Sequence, residues 1–327
     1  MSAERRSLGR FVPLLVLCIL LLLPLALEQY KLFVGSLVLV YVIAGIGLNL
    51  TLGYAGQISL AHAAFLAFGA YSVAILQPLG VPFEVCALIG TAISFFFGLL
   101  IGFPALRVKH HYLAMVTIGF TIIVFLVLRN WESFTGGSFG IAGIERPSWG
   151  FVSFASDRAY YVYSLFWAVP VLASAYWIKN SRWGRAFKSI RENEMRAETL
   201  GVSLRNYKLM AFAIGAAYAG IAGALFAPLL GYIDPPAFFI ERSILFLLIV
   251  VIGGLGRFEG PIIGAIVVVV LPELLRGSQS LYLIIFSVCI MLMMLFWPKG
   301  LIGLWDVLRQ KVAAPAAEAK AETPAAK

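Results

Sequence analysis

Long apolar blocks alternate with short polar connectors through most of this chain. A bilayer core of about 30 Å takes about 20 helical residues. Ten blocks approach that length: 11–27, 32–52, 58–76, 83–106, 112–128, 159–178, 209–230, 243–255, 261–275 and 281–297. The pattern predicts an all-α, polytopic membrane helix bundle of about 8–10 spans. The blocks at 243–255 and 261–275 are short for straight crossings and are flanked by glycine, which predicts broken or re-entrant helices. The first block follows Arg5, Arg6 and Arg10 like a signal sequence. It runs for 17 residues with no small-residue cleavage site behind it, so it reads as a retained helix.

Composition excludes the soluble alternatives. Residues of the set AVILMFWYC make up 61% of the 327 positions and charged residues 13%, against about 25% charged in soluble domains. Such a surplus cannot be hidden inside a water-soluble globule, and it is too apolar for a disordered chain. The net charge of +9 then reads as topology rather than as nucleic-acid binding. More than half of the charges fall in 1–10, 179–208 and 299–327, and the loops on that side hold most of the Lys and Arg. By the positive-inside rule both termini are cytoplasmic. The chain divides into a cytoplasmic tail at 1–10, a transmembrane domain at 11–297 and a cytoplasmic Ala/Pro/Lys/Glu-rich tail at 298–327, expected to be largely disordered. The outer loop at 129–158 carries the turn-forming run Thr135 to Gly140 and Pro147; it fits a lid, a docking loop or a plain connector. Cys18, Cys86 and Cys289 each lie inside an apolar run, which argues against disulfides and zinc.

Two kinds of segment carry candidate function. The loop at 179–208 holds eight basic and three acidic residues. Read as helix, Phe187, Ile190, Ala197 and Leu200 form a stripe interrupted by Glu194, with Asn193 suited to an N-cap and Gly201 to a helix end. Glu192 and Arg196 have i,i+4 spacing. Such a loop fits either a helix that docks on a soluble partner or a solvated topology marker. The second kind is rich in glycine. Gly45 to His62 includes Gly47, Asn49, Gly53, Gly56, Gln57 and Ser59, and a similar run, Gly253, Gly254, Gly256 and Gly260 to Gly264, follows in the second half. In lipid these residues imply irregular backbone lining a pathway, or very close helix approach. Their corresponding placement suggests an internal repeat. His62 is the ionisable residue of its block and fits either a pathway contact or a satisfied interhelical hydrogen bond. There is no G-x-x-x-x-G-K-[ST] phosphate loop and no H-E-x-x-H, so no catalytic constellation emerges.

The run from Gly47 through His62 resembles the signature of inner-membrane permeases of branched-chain amino acid ABC transporters. So do Tyr112 to Phe120, the Thr135-Gly-Gly loop, Gly184 to Glu194 and Gly253 to Gly256. The long outer loop and the Tyr112–Phe120 stretch are closer to the LivM type than the LivH type. The resemblance implies an importer for branched-chain or related hydrophobic amino acids, in the bacterial inner membrane. Its partners would be a LivH-type second permease, two cytoplasmic ATP-binding subunits and a periplasmic substrate-binding protein. ATP and Mg would be bound by the ATPases, leaving this chain no cofactor, no metal and no enzymatic activity of its own. Arg185, Ile190, Glu194, Arg196, Ala197 and Gly201 would form the coupling helix. Asn49, Gly53, Gly56, Gln57, Ser59, His62, Gly253, Gly254 and Gly256 would line the substrate pathway. Two positions depart from the pattern: Met195 stands where the motif E-A-A-x-x-x-G has Glu, and Thr121-Ile122 stands where many relatives carry Gly-Glu. A permease for urea, short amides or aromatic acids is the alternative, and an ion-coupled secondary transporter a more distant one.

Overall fold

The computed structural model describes residues 20–24, 27–105, 110–149, 152–275, 287–288, 291 and 300–303. The blocks at 11–27 and 281–297, both tails, Cys18 and Cys289 lie wholly or mostly outside the described residues. Ten main helices follow in order. They are α1 (Gln29–Leu48, continued by a π-helical turn Asn49–Tyr54), α2 (His62–Leu76), α3 (Phe83–Ala105), α4 (His110–Asn130) and α5 (Asp157–Asn180). Then come α6 (Arg182–Glu192), α7 (Glu194–Thr199), α8 (Leu204–Leu230), α9 (Ile240–Gly253) and α10 (Gly260–Leu275).

The described residues hold seven helical stretches long and apolar enough to cross a membrane: Gln29–Tyr54, His62–Leu79, Phe83–Phe103, Tyr112–Asn130, Asp157–Asn180, Leu204–Leu230 and Pro235–Gly253. The 16-residue α10 is shorter. Two expected boundaries move. The block expected from 243 begins at Pro235, where a 3-10 turn leads into α9, so it is long enough to span. The block expected from 58 begins as helix only at His62, because residues 56–61 leave the helical path.

Helix α8 is the hub. It packs most extensively against α3, α2 and α1, and it is lined with Ala211, Ala213, Gly215, Ala216, Ala219, Gly220, Ala222, Gly223 and Ala224. Helices in lipid associate through packing and hydrogen bonds rather than by escaping water, so small side chains decide how closely they meet. A Cβ on Gly47 would stand 2.6 Å from the Gly215 carbonyl oxygen, and one on Gly215 would stand 2.7 Å from that of Gly47. Helices α3 and α4 instead turn much of their surface outward, with Leu88, Phe96, Leu100, Met115, Ile123 and Leu126 exposed.

The two ends of the bundle differ. One carries α6 and α7. The other carries four two-residue strands: β1 (Ile141–Ala142), β2 (Ser148–Trp149), β3 (Val152–Ser153) and β4 (Tyr232–Ile233). β1 pairs antiparallel with β4, and β2 with β3. Arg146 bonds Asp157 at 2.6 Å, and the Trp149 indole donates to Glu84, which also accepts from the Tyr163 hydroxyl at 2.8 Å. Within the loop expected at 129–158, the described residues are tied to the rest of the bundle through the β1–β4 pairing and through Trp149 to Glu84.

Candidate transport pathway and coupling helices

Both glycine-rich runs break a helix, and the breaks meet. In the first, the α1 backbone widens into the π turn, whose hydrogen bonds continue as Ala55 N to Leu50 O (3.2 Å) and Gln57 N to Thr51 O (2.9 Å). Single π turns inside α-helices recur at functional positions. In the second, α9 stops at Gly253 and α10 starts at Gly260. Asn49 staples one to the other. Its amide nitrogen donates to the Arg257 carbonyl (2.8 Å) and its amide oxygen accepts from Gly256 N (2.9 Å). A Cβ on Gly53 would come within 2.6 Å of Gly256 N, so only glycine permits this contact. Lys179, at the end of α5, reaches Glu259 at 3.8 Å and lies over the Phe258 ring.

The irregular segment between the π turn and α2 is held by hydroxyls from two neighbours. Leu60 N donates to Thr117 Oγ1 (3.0 Å), and Thr121 Oγ1 donates to the Leu60 carbonyl (2.8 Å); both threonines are on α4. Ala63 N donates to Ser243 Oγ of α9 (3.0 Å), and Ser59 Oγ accepts from Ala61 N (3.3 Å). Thr121 thus has a structural partner, whereas Ile122 is exposed. Sequence reasoning did not single out Thr117 or Ser243; the i,i+4 spacing of Thr117 and Thr121 was the available sign.

Two predicted pathway residues stand out by what they lack. Gln57 and His62 are 2% and 1% exposed, and neither the Gln57 amide nor either ring nitrogen of His62 has a hydrogen-bond partner. His62 meets Phe65 edge-on at 6.2 Å. Buried polar groups are ordinarily bonded, so such exceptions need a reason. Among the described residues no three of His, Cys, Asp and Glu gather into a metal-sized cluster. A cleft of about 290 Å³ between α2 and the outer loop, lined by Ala74, Gln77, Gly143 and Glu145, lies at the opposite end of α2 from His62.

The predicted coupling loop folds as two helices rather than one. Ser181 caps α6 by accepting from Trp183 N (3.1 Å), and Asn193 caps α7 by accepting from Arg196 N (3.0 Å). Asn193 itself is extended, which resets the helical register. Phe187, Ile190 and Ala197 are consequently buried against the bundle, but Leu200 is 80% exposed and does not continue their stripe. Met195 is 77% exposed beside it. Glu192 and Arg196 lie on different helices, while Glu194 pairs with Lys208 of α8 at 2.6 Å. Arg185 and Arg196 point to solvent, and Gly201, at φ +81°, ends α7. Arg191, absent from the predicted set, donates to the Gly53 carbonyl and so joins α6 to the first break.

Residues 32–297 match the family described as branched-chain amino acid transport system, permease component. This chain belongs to that family. The permease is 35% identical over 303 residues to the high-affinity branched-chain amino acid transport system permease protein LivM of Escherichia coli strain K12, covering 85% of this chain and 71% of the relative. It is 33% identical to LivM of Salmonella typhimurium with the same coverage. To LivH of Escherichia coli strain K12 it is 26% identical over 285 residues, covering 80% of this chain and 91% of the relative. No solved structure matches the permease. It is a multi-pass membrane protein of LivM type.

Proposed function

We propose that this permease is one of two transmembrane subunits of an ATP-driven importer for branched-chain amino acids in the bacterial inner membrane. A LivH-type permease is its neighbour, and both termini of this chain are cytoplasmic. Two cytoplasmic ATPases bind ATP and Mg, and a periplasmic binding protein delivers the amino acid to the strand end. The observation that supports the reading is the junction of the two glycine breaks against α6, since a pathway at the breaks and coupling through α6 would then be in direct contact.

The division of labour follows from exposure. Met195 and Leu200, exposed at α7 and its end, suit an apolar groove on an ATPase, and the exposed Arg196 of α7 and Arg185 of α6 suit acidic groups on its surface. Ile190 and Ala197 seat the helices from inside. The pathway runs past Asn49, Gly53, Gly56, Gln57, Ser59 and His62 and past Gly253, Gly254 and Gly256. Gln57 and His62 offer a donor and an acceptor each to a passing zwitterion, a neutral imidazole serving as both. Among the described residues no Asp, Glu, Lys or Arg is fully buried, which favours ATP drive over coupling to an ion gradient.

The test is reconstitution of the permease with its partner subunits in proteoliposomes, supplied with leucine, isoleucine, valine, aromatic amino acids, urea and short amides on the binding protein. ATP-dependent uptake led by the branched-chain amino acids is expected. Uptake that continues without ATP hydrolysis would overturn the reading, and uptake of urea or amides instead would move the substrate class.

A further inference from the structure

We infer that Arg191 and Asn49 form a latch through which movement of the coupling helices opens and closes the cytoplasmic exit. This rests on the reading of α6 and α7 as the ATPase dock. A broken helix leaves backbone groups without their ordinary partners, and in a membrane such groups must be satisfied from elsewhere. In an unbroken helix the Gly53 carbonyl would accept from Gln57 N, but Gln57 N turns back to Thr51 O. Arg191 takes the vacated carbonyl. On the other break, Gly256 N is taken by Asn49, which also donates to the Arg257 carbonyl beside that carbonyl's turn bond from Gly260 N (3.2 Å). Each break is thus completed by a side chain foreign to it. Arg191 also packs its stem on Gly56, 3.3 Å from where a Cβ would lie, and its guanidinium stands against Gly256.

Arg191 is the penultimate residue of α6, directly before the Asn193 break and the exposed face of α7. Drawing α6 away from the bundle withdraws a charge-assisted donor from Gly53 and leaves the two Asn49 bonds as the weaker remaining tie between the breaks. Drawing it inward restores the contact. Arg191 therefore acts as a positioning residue, distinct from the side chains that would touch an ATPase.

The experiment uses the whole importer in proteoliposomes, with leucine on the binding protein, and reads uptake and ATP hydrolysis together. For Arg191→Gln, hydrolysis is expected to stay within about twofold of the parent while leucine moved per ATP falls roughly tenfold. Arg191→Lys should keep most of the coupling. Arg191→Met, which keeps the stem on Gly56 but removes the donor to Gly53, should uncouple as Arg191→Gln does, and adding Asn49→Ser to it should not lower leucine moved per ATP below the more severe single variant. Hydrolysis and uptake falling in proportion would make Arg191 a docking residue and overturn the latch, as would unchanged coupling in either single variant. If Arg191→Gln does not assemble, Arg191→Met decides. Uptake by the parent that ignores ATP would instead sink the importer reading.

Discussion

At the scale of single residues, the proposed pathway role of His62 sets stability against transport. Its imidazole is buried with both nitrogens unbonded, and an unsatisfied buried polar group costs about 1–3 kcal/mol. His62→Leu should therefore raise the unfolding temperature in detergent while lowering leucine uptake roughly tenfold, about 1.4 kcal/mol. Unchanged uptake would remove His62 from the pathway. A lone ionisable residue in an apolar block was conspicuous in the sequence, as were Gln57 and the glycines around it. Arg191 was not, because it is one of eight basic residues in the 179–208 loop and its partner is a carbonyl 138 positions away. Nothing in its neighbours distinguishes it from Arg185 or Arg196. Asn49 was visible as a polar residue in a glycine run, but its partners 207 and 208 positions away were not.

At the scale of elements, the break at Asn193 decides which side chains face a partner. Met195→Asp and Leu200→Asp should each weaken co-purification of the ATPases at least tenfold, with thermal unfolding unchanged, since both side chains are largely in solvent. Ile190→Asp should do the reverse first, lowering stability by several kcal/mol, because it places an unpaired carboxylate where the native side chain is 1% exposed. Thermal unfolding and pull-down on the same preparations separate the two outcomes. The caps at Asn193 and Gly201 could be read directly, since side-chain chemistry and left-handed backbone announce themselves locally. The stripe could not, because periodicity was carried across a break that resets it. The π turn likewise showed in sequence only as a cluster of Gly, Asn and Thr.

At the scale of the whole molecule, length and hydropathy identified the spans, whereas their neighbours follow from surfaces that meet only in three dimensions. The richness of 211–224 in Ala and Gly was there to read, but not which helices would press against it. Two glycine variants test that arrangement. Gly47→Val must push α1 off α8 at a point where even a Cβ comes within 2.6 Å of backbone, and should abolish recovery of folded protein from the membrane. Gly119→Ala, on α4 with nothing near its Cβ, should leave uptake intact and raise stability by up to about 1 kcal/mol. Yield of monodisperse protein and thermal unfolding in detergent check both.

The central place of α8 also dictates when this protein can fold as it is made. Helices α1, α2 and α3 emerge from the ribosome first, yet α1 barely touches α2 and all three rest chiefly on α8. Until Leu204–Leu230 has been inserted, the small-residue grooves meant for α8 face lipid, and Gly47 lacks the Gly215 backbone it packs against. Helices α2 and α3 can pair with each other before then, but α1 lacks its main partner until α8 arrives. A chain cut short before α8 would lack the one surface that α1, α2 and α3 share, and is not a smaller version of the bundle.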